Sequence, residues 1–208
     1  MNRTTFLSSV AAAALRPTRV AFRGIYASLG DSTTADPNLY ATTPYPTLLA
    51  RRFDFDLKAL GVDDASLNTV AQRELPYVPS EAKLLTMGIG INDARFKQTY
   101  ESFSAQYQAT VAYLVTHAPS ALLLYSTCIV NPYPPEPAFE LLAAQYNKFL
   151  RAFRHPRARL VDIDAMPDPG NPALRALRFP GPNMVSVAHP NNAGHALIAD
   201  AFAKVYGG

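Results

Sequence analysis

Tryptophan is absent from the 208 residues, and cysteine occurs once, at Cys128. A single thiol cannot close an intramolecular disulfide, and it excludes a zinc site built from cysteines. Cys128 stands in the apolar run ALLLYSTCIV, so it reads as a packed core thiol rather than a nucleophile. Charge is sparse as well. Charged residues make up 17% of the chain, the net charge is +3, and much of the basic excess gathers between Lys148 and Arg178. That density fits a solvated helix face and a loop, and nothing in it resembles a nucleic-acid module. No apolar run is long enough for a comfortable membrane span. Apolar residues, by contrast, make up 49% of the chain, enough at this length to bury one substantial core.

The N-terminal stretch MNRTTFLSSVAAAALRP has a basic start, an apolar run and small residues at Ala11 to Ala14. That is the layout of a short signal peptide with an Ala-x-Ala cleavage site. The expectation is export to a periplasm or the outside, with a cytoplasmic location as the alternative. Residues 1–15 are therefore set apart from a domain spanning 16–208.

From there, strand and helix patterns alternate. VAFRGIYASL, FDFDLKALGV, AKLLTMGIG, ALLLYSTCIV and RLVDID read as five strands. YPTLLARRF, FKQTYESFSAQYQATVAYLVTHA, AFELLAAQYNKFLRAF and AGHALIADAFAKVY read as helices, the second with Phe96, Tyr100, Phe103, Tyr107, Val111, Leu114 and Val115 at helical spacing. Such alternation implies a parallel sheet with helices on both faces, and such sheets bind ligands beyond the carboxyl ends of their strands. Two long proline-rich segments follow the fourth and fifth strands, and they read as walls of a site.

Three short motifs lie on that side. The first strand ends in SLGDSTTAD, where Gly30 permits a tight turn and Ser32 is presented as a possible nucleophile. Alone, the tripeptide is as well read as an ordinary turn. The third strand ends in GIGINDARF, where the side-chain amide of Asn92 can donate to an oxyanion, or Asn92 and Asp93 simply cap the helix that follows. The last helix is preceded by HPNNAGH. Pro190 disfavours a helical conformation at His189, which places that imidazole on the loop, free to act as a base; His195 falls within the helix and reads as a packed residue.

Taken together, Gly30-Asp31-Ser32, Gly90-Ile91-Asn92-Asp93 and His189-Pro190-Asn191-Asn192-Ala193-Gly194-His195 resemble the SGNH hydrolases, also called the GDSL esterase/lipase family, over about Arg19 to Tyr206. The resemblance implies a flavodoxin-like, three-layer α/β/α domain with a five-stranded parallel sheet, and hydrolysis of carboxylic esters or thioesters without metal or other cofactor. It implies Ser32 as the nucleophile of an acyl-serine mechanism and His189 as its general base. The oxyanion hole would draw on the N–H of Ser32, the amide of Asn92 and a donor after the second strand.

Two positions depart from the family pattern. Where it has a glycine after the second strand, the stretch LGVDDASL places Asp64; a less convincing register in NTVAQREL would place Arg73. The N–H of Asp64 can still donate, and aspartate tolerates left-handed backbone, but its carboxylate must point away from the oxyanion, since two such charges at 4 Å repel by ~4 kcal/mol. Where the family has an Asp three residues before the histidine, this chain has Ser186. The expectation is a Ser-His dyad with His189 held by the carbonyl or hydroxyl of Ser186; Asp162, Asp164 and Asp168 near the fifth strand are the alternative holders. Tyr133, Pro134, Pro135, Phe179 and Pro180 in the long loops favour a small ester with an apolar acyl or aryl group. The competing readings are a binding module on the same fold that has lost catalysis, and a carbohydrate O-deacetylase, which the lack of tryptophan for stacking on sugar disfavours.

Overall fold

The computed structural model describes residues 23–129, 137–165, 184–186 and 189–207. In chain order the elements are β1 (Gly24–Gly30), α1 (Tyr45–Phe53), β2 (Phe55–Ala59), α2 (Leu67–Thr69), β3 (Leu84–Gly88), α3 (Ile91–Arg95), α4 (Tyr100–His117), β4 (Leu122–Ser126), α5 (Pro137–Ala152), β5 (Ala158–Val161), β6 (Met184–Ser186), β7 (His189–Pro190) and α6 (Asn192–Gly207). The helix α2 runs on into a π-helical turn at Val70–Glu74 and a 3-10 turn at Leu75–Tyr77. The expected N-terminal signal, Asp168 and the loop residues Tyr133, Pro134, Pro135, Phe179 and Pro180 lie outside the described residues.

The five long strands form one parallel sheet in the order β2-β1-β3-β4-β5. This is the doubly wound order that reverses direction beside β1, where such folds place their ligands. Both faces of the strands are apolar because both are covered. Ala27, Leu29, Leu85, Met87 and Leu123 face Phe103, Tyr107, Val111, Leu114 and Tyr146 of α4 and α5. Tyr26, Leu84, Leu124 and Val161 face Tyr45, Leu49, Ile198 and Phe202 of α1 and α6. The result is the expected α/β/α sandwich.

The elements are shorter than the apolar runs that announce them. In the fourth run the ladder stops at Ser126, although Thr127 and Cys128 are still buried. There the side chain of Asn147 on α5 takes over, accepting from the Cys128 N–H at 2.8 Å and donating to its C=O at 2.9 Å. The long helix begins at Tyr100, four residues late. Lys97 adopts a left-handed φ of 59°, and Thr99 caps the helix by accepting from the Ser102 N–H at 3.3 Å. Phe96, expected on the buried face, is therefore 59% exposed.

Candidate active site

Strand β1 ends where it must be glycine. Gly30 has φ +138°, and a Cβ there would lie 2.1 Å from the carbonyl oxygen of Gly88 on β3. The chain then turns sharply. The carbonyl of Asp31 accepts from the N–H groups of Thr34 at 2.8 Å and Ala35 at 3.0 Å, while its Oδ1 accepts from Thr33 N–H at 2.9 Å. This turn holds Ser32, half-buried, at the sheet's carboxyl edge, as its sequence position predicts. The Asp31 side chain is buried, and burial pushes its pKa up to about 7 against the pull of the Thr33 bonds.

The histidine arrives from the opposite end of the chain. His189 sits not in a loop but in the short strand β7, paired antiparallel with β6 so that Ser186 is its register partner. Its Nε2 lies 3.0 Å from Ser32 Oγ. The rest of the motif supports this placement. Asn191 caps α6 by accepting from the N–H groups of Ala193 at 3.0 Å and Gly194 at 3.2 Å. Asn192 Oδ1 accepts from the N–H groups of Thr42 at 2.8 Å and Thr43 at 3.1 Å, which ties the segment after the nucleophile turn to α6. His195 is fully buried with its Nδ1 accepting from Tyr45 N–H at 3.2 Å, and burial lowers its pKa to about 4, so it is a neutral packed residue.

Burial also lowers the pKa of His189; Asp63 and Asp64 oppose this, and Arg95 reinforces it. The imidazole is thereby neutral, with an Nε2 able to accept a proton, at ordinary pH. The side chain of Ser186 is not among those described, but its backbone is the neighbour of His189 in the β6–β7 pair. Of the alternative holders, Asp162 and Asp164 are engaged elsewhere. Arg151 donates from Nε and Nη2 to Asp162 at 2.7 and 3.0 Å, and from Nη2 to Asp164 at 2.7 Å. Burial alone would raise the Asp162 carboxyl, but the bonds from Arg151, Ala165 N–H and Thr127 outweigh it and hold the pKa below the usual range.

Asn92 and Asp93 do not cap their own helix, whose N-cap is Gly90. They reach across to the segment after β2. Asn92, almost fully buried, donates from Nδ2 to the Ala65 carbonyl at 3.0 Å, and the fully buried Asp93 accepts from Leu67 N–H at 2.9 Å. An amide nitrogen carries two hydrogens, so Asn92 keeps a second donor. Asp64 lies just before this clamp with a left-handed φ of 57°. Its carboxylate is turned outward onto Arg95 at 3.0 Å, so the feared repulsion is avoided. Among the described residues, no hydrogen bond occupies the N–H of Ser32 or of Asp64. Arg73, the other register's choice, is an exposed residue of the π-helical turn.

Two further residues belong to the site and were missed in the sequence. Glu74, fully buried, accepts from Gly30 N–H at 2.8 Å with one carboxyl oxygen, while burial raises its pKa to about 8. Its neighbour Arg73 drew attention to this stretch, but only as a donor. Tyr40 stacks on the His189 ring, and no local pattern marks it. A cavity of mixed lining, with Ile89, Ile163 and Ile198 beside the polar Asp31, Thr33 and Ser126, adjoins the turn on both sides of Ser32. Among the described residues, no cluster of His, Cys, Asp and Glu is arranged to hold a metal ion, and no helix is long and apolar enough to cross a membrane.

The same architecture recurs in solved structures. A member of the lipolytic G-D-S-L family from Veillonella parvula superimposes with a TM-score of 0.69 at 13% identity, covering 88% of this chain and 98% of that one. The extracellular lipase of Streptomyces rimosus gives 0.64 at 19% identity, covering 86% and 98%. A variant of an acetyl-xylooligosaccharide esterase from Geobacillus Stearmophilus gives 0.61 at 17% identity, covering 90% and 95%. At these identities the likeness concerns the fold. No curated protein matches the chain by sequence. Residues 28–197, which carry the Ser32 turn, the Asn92 clamp and His189, match the pattern of the GDSL-like lipase/acylhydrolase family. The chain belongs to that family of ester-bond hydrolases.

Proposed function

We propose that the protein is a serine esterase that cleaves small carboxylic esters through an acyl-serine intermediate, with a Ser-His dyad. The observation that carries this reading is the 3.0 Å contact between Ser32 Oγ and His189 Nε2 at the carboxyl edge of the sheet. In the first step Ser32 Oγ attacks the ester carbonyl carbon and its proton passes to Nε2 of His189. The resulting oxyanion is held by the N–H of Ser32, the N–H of Asp64 and the second N–H of Asn92. Collapse breaks the bond to the leaving oxygen, which takes the proton from the imidazolium. Water, deprotonated by His189, then attacks the acyl-serine and returns the free enzyme.

The isoleucine-lined cavity beside the turn supports an apolar acyl or aryl group over a charged one. The basic and apolar start of the chain supports export, which sequencing of the mature N-terminus tests.

The test is a chain-length series of p-nitrophenyl esters with Ser32→Ala as the control. Turnover should be greatest for short to medium acyl chains and fall to background in the variant. Intact mass should show one fluorophosphonate adduct on the native chain and none on Ser32→Ala. Binding of esters without turnover over a broad pH range would support the non-catalytic module instead.

A further inference from the structure

The Tyr40 ring lies over the His189 imidazole with centroids 3.7 Å apart and planes inclined by 19°. Neutral rings stack in the same way elsewhere in the fold: Phe103 and Tyr146 lie 3.9 Å apart and inclined by 10°. A cation over a tyrosine face is attracted by the π-cloud of the ring. The stack therefore fixes the plane of the neutral imidazole and gains a further attraction once that ring is protonated.

Tyr40 is not placed there by chance packing of a mobile tip. Asn38 brackets it to the nucleophile, donating from Nδ2 to the Ser32 carbonyl at 2.7 Å and accepting from the N–H groups of Tyr40 at 2.8 Å and Ala41 at 3.0 Å. On the far side, Thr42 and Thr43 are bonded to Asn192 at the start of α6. The same segment thus fixes the Tyr40 ring relative to both Ser32 and the element that follows His189.

We propose that Tyr40 is a positioning residue for His189, one that fixes the plane of the imidazole and stabilises the imidazolium formed when Ser32 gives up its proton. The inference rests on His189 being the general base. The effect is differential, because the ring is neutral in the resting enzyme and charged only as attack proceeds, and an interaction stronger in the transition state raises kcat rather than tightening binding. Asp63 and Asp64, from the segment after β2, also favour the charged ring, whereas Arg95 on α3 and the burial of the site oppose it. His195 on α6 is neutral and adds no charge. Tyr40 thus lends support to a histidine whose usual carboxylate position is occupied by Ser186.

The experiment reads the imidazole directly. In the full chain carrying Ser32→Ala, the His189 ring protons are titrated by NMR with Tyr40, Phe and Leu at position 40. Tyr40→Leu should lower the His189 pKa by up to about one unit and move its ring protons downfield as the ring current is lost; Tyr40→Phe should change neither. With Ser32 present, Tyr40→Leu should reduce kcat on p-nitrophenyl acetate about 5–30-fold with KM little changed, and the acid limb should move to lower pH, because the imidazole then stays neutral in more acidic solution. Tyr40→Phe should restore both. Should Tyr40→Leu unfold, progressively fluorinated phenylalanines at position 40 keep the shape and weaken the π-cloud, and the His189 pKa should fall along the series. A pKa that ignores the fluorine count, or a Phe variant as damaged as the Leu variant, would overturn the proposal. The titration needs no turnover, so a native chain inert towards esters would overturn the esterase reading while the effect of the stack stayed measurable.

Discussion

On the nucleophile side of the site, three acids with almost no access to water each accept a backbone N–H: Asp31 from Thr33, Glu74 from Gly30 and Asp93 from Leu67. On the histidine side, the contacts described above come from amides and an aromatic ring: Asn38, Asn192 and Tyr40. The difference follows from what each side must hold. In the proposed mechanism two of the three oxyanion donors are backbone N–H groups, of Ser32 and Asp64, and the bonds to these buried acids fix the segments that carry them before substrate arrives. The imidazole must change charge in each cycle, and a polarisable ring face can respond to that change without titrating itself.

The strongest way to break the comparison is at Asn92, which forms the clamp and is proposed to hold the oxyanion. Asn92→Ala should lower kcat about 10²–10³-fold with a smaller change in KM, measured on p-nitrophenyl butyrate. A loss confined to KM would mean that the amide holds substrate instead.

Next is Glu74. Glu74→Leu leaves the Gly30 N–H buried and unbonded, and should cost about 1–3 kcal/mol in denaturant unfolding. Glu74→Gln keeps an acceptor and should cost much less. The acid should also be visible in the pH dependence of stability. Burial pushes the carboxyls of Asp31, Asp93 and Glu74 up from their ordinary values of 3.8, 3.8 and 4.5 to about 7, 6 and 8. Between about pH 6.5 and pH 8 Asp31 and Glu74 hold protons that the unfolded chain has lost, so stability should fall as pH rises through that window; below it the lowered pKa of buried His195, about 4, works in the opposite direction. Glu74→Gln should flatten its alkaline part. A melting temperature that rises from about pH 6.5 to pH 8 would contradict the raised acids.

An acid can be added beside the histidine at position 186. Ser186→Asp, opposite His189 in the β6–β7 register, should increase kcat by up to about tenfold and move the acid limb upward, because a carboxylate favours the imidazolium. An unchanged pH profile would show that the side chain at 186 does not reach the ring. The smallest effect is expected at Asp64. Its exposed pair with Arg95 contributes little, and glycine removes the cost of a left-handed φ, so Asp64→Gly should keep kcat/KM within about twofold and leave stability equal or slightly higher.

Ser32, Asn92 and His189 were legible in the sequence because each sits in a short motif at the end of a patterned element, and the doubly wound order brings those ends to one edge. The sandwich was legible for a similar reason, in strands apolar on both faces. Strand ends were not. The run through Thr127 and Cys128 stays apolar after its ladder has stopped, because burial continues while Asn147 stands in for a neighbouring strand. Glu74 does the same for Gly30, across 44 residues of sequence. Tyr40 meets His189 from the opposite end of the chain. Neither contact leaves a periodic trace, so neither could be read before the fold was known.

The fork of Asn147 on Cys128 has one practical consequence. It holds the backbone of the protein's single thiol, which is buried at the edge of the cavity beside the Ser32 turn, with Sγ 3.4 Å from the Ile89 carbonyl and a pKa that burial drives well up. A thiol reagent gains full access to that sulfur when the segment around the fork opens. With one cysteine in the chain, the alkylation rate is an unambiguous clock for that local opening, readable without substrate and without any engineered label.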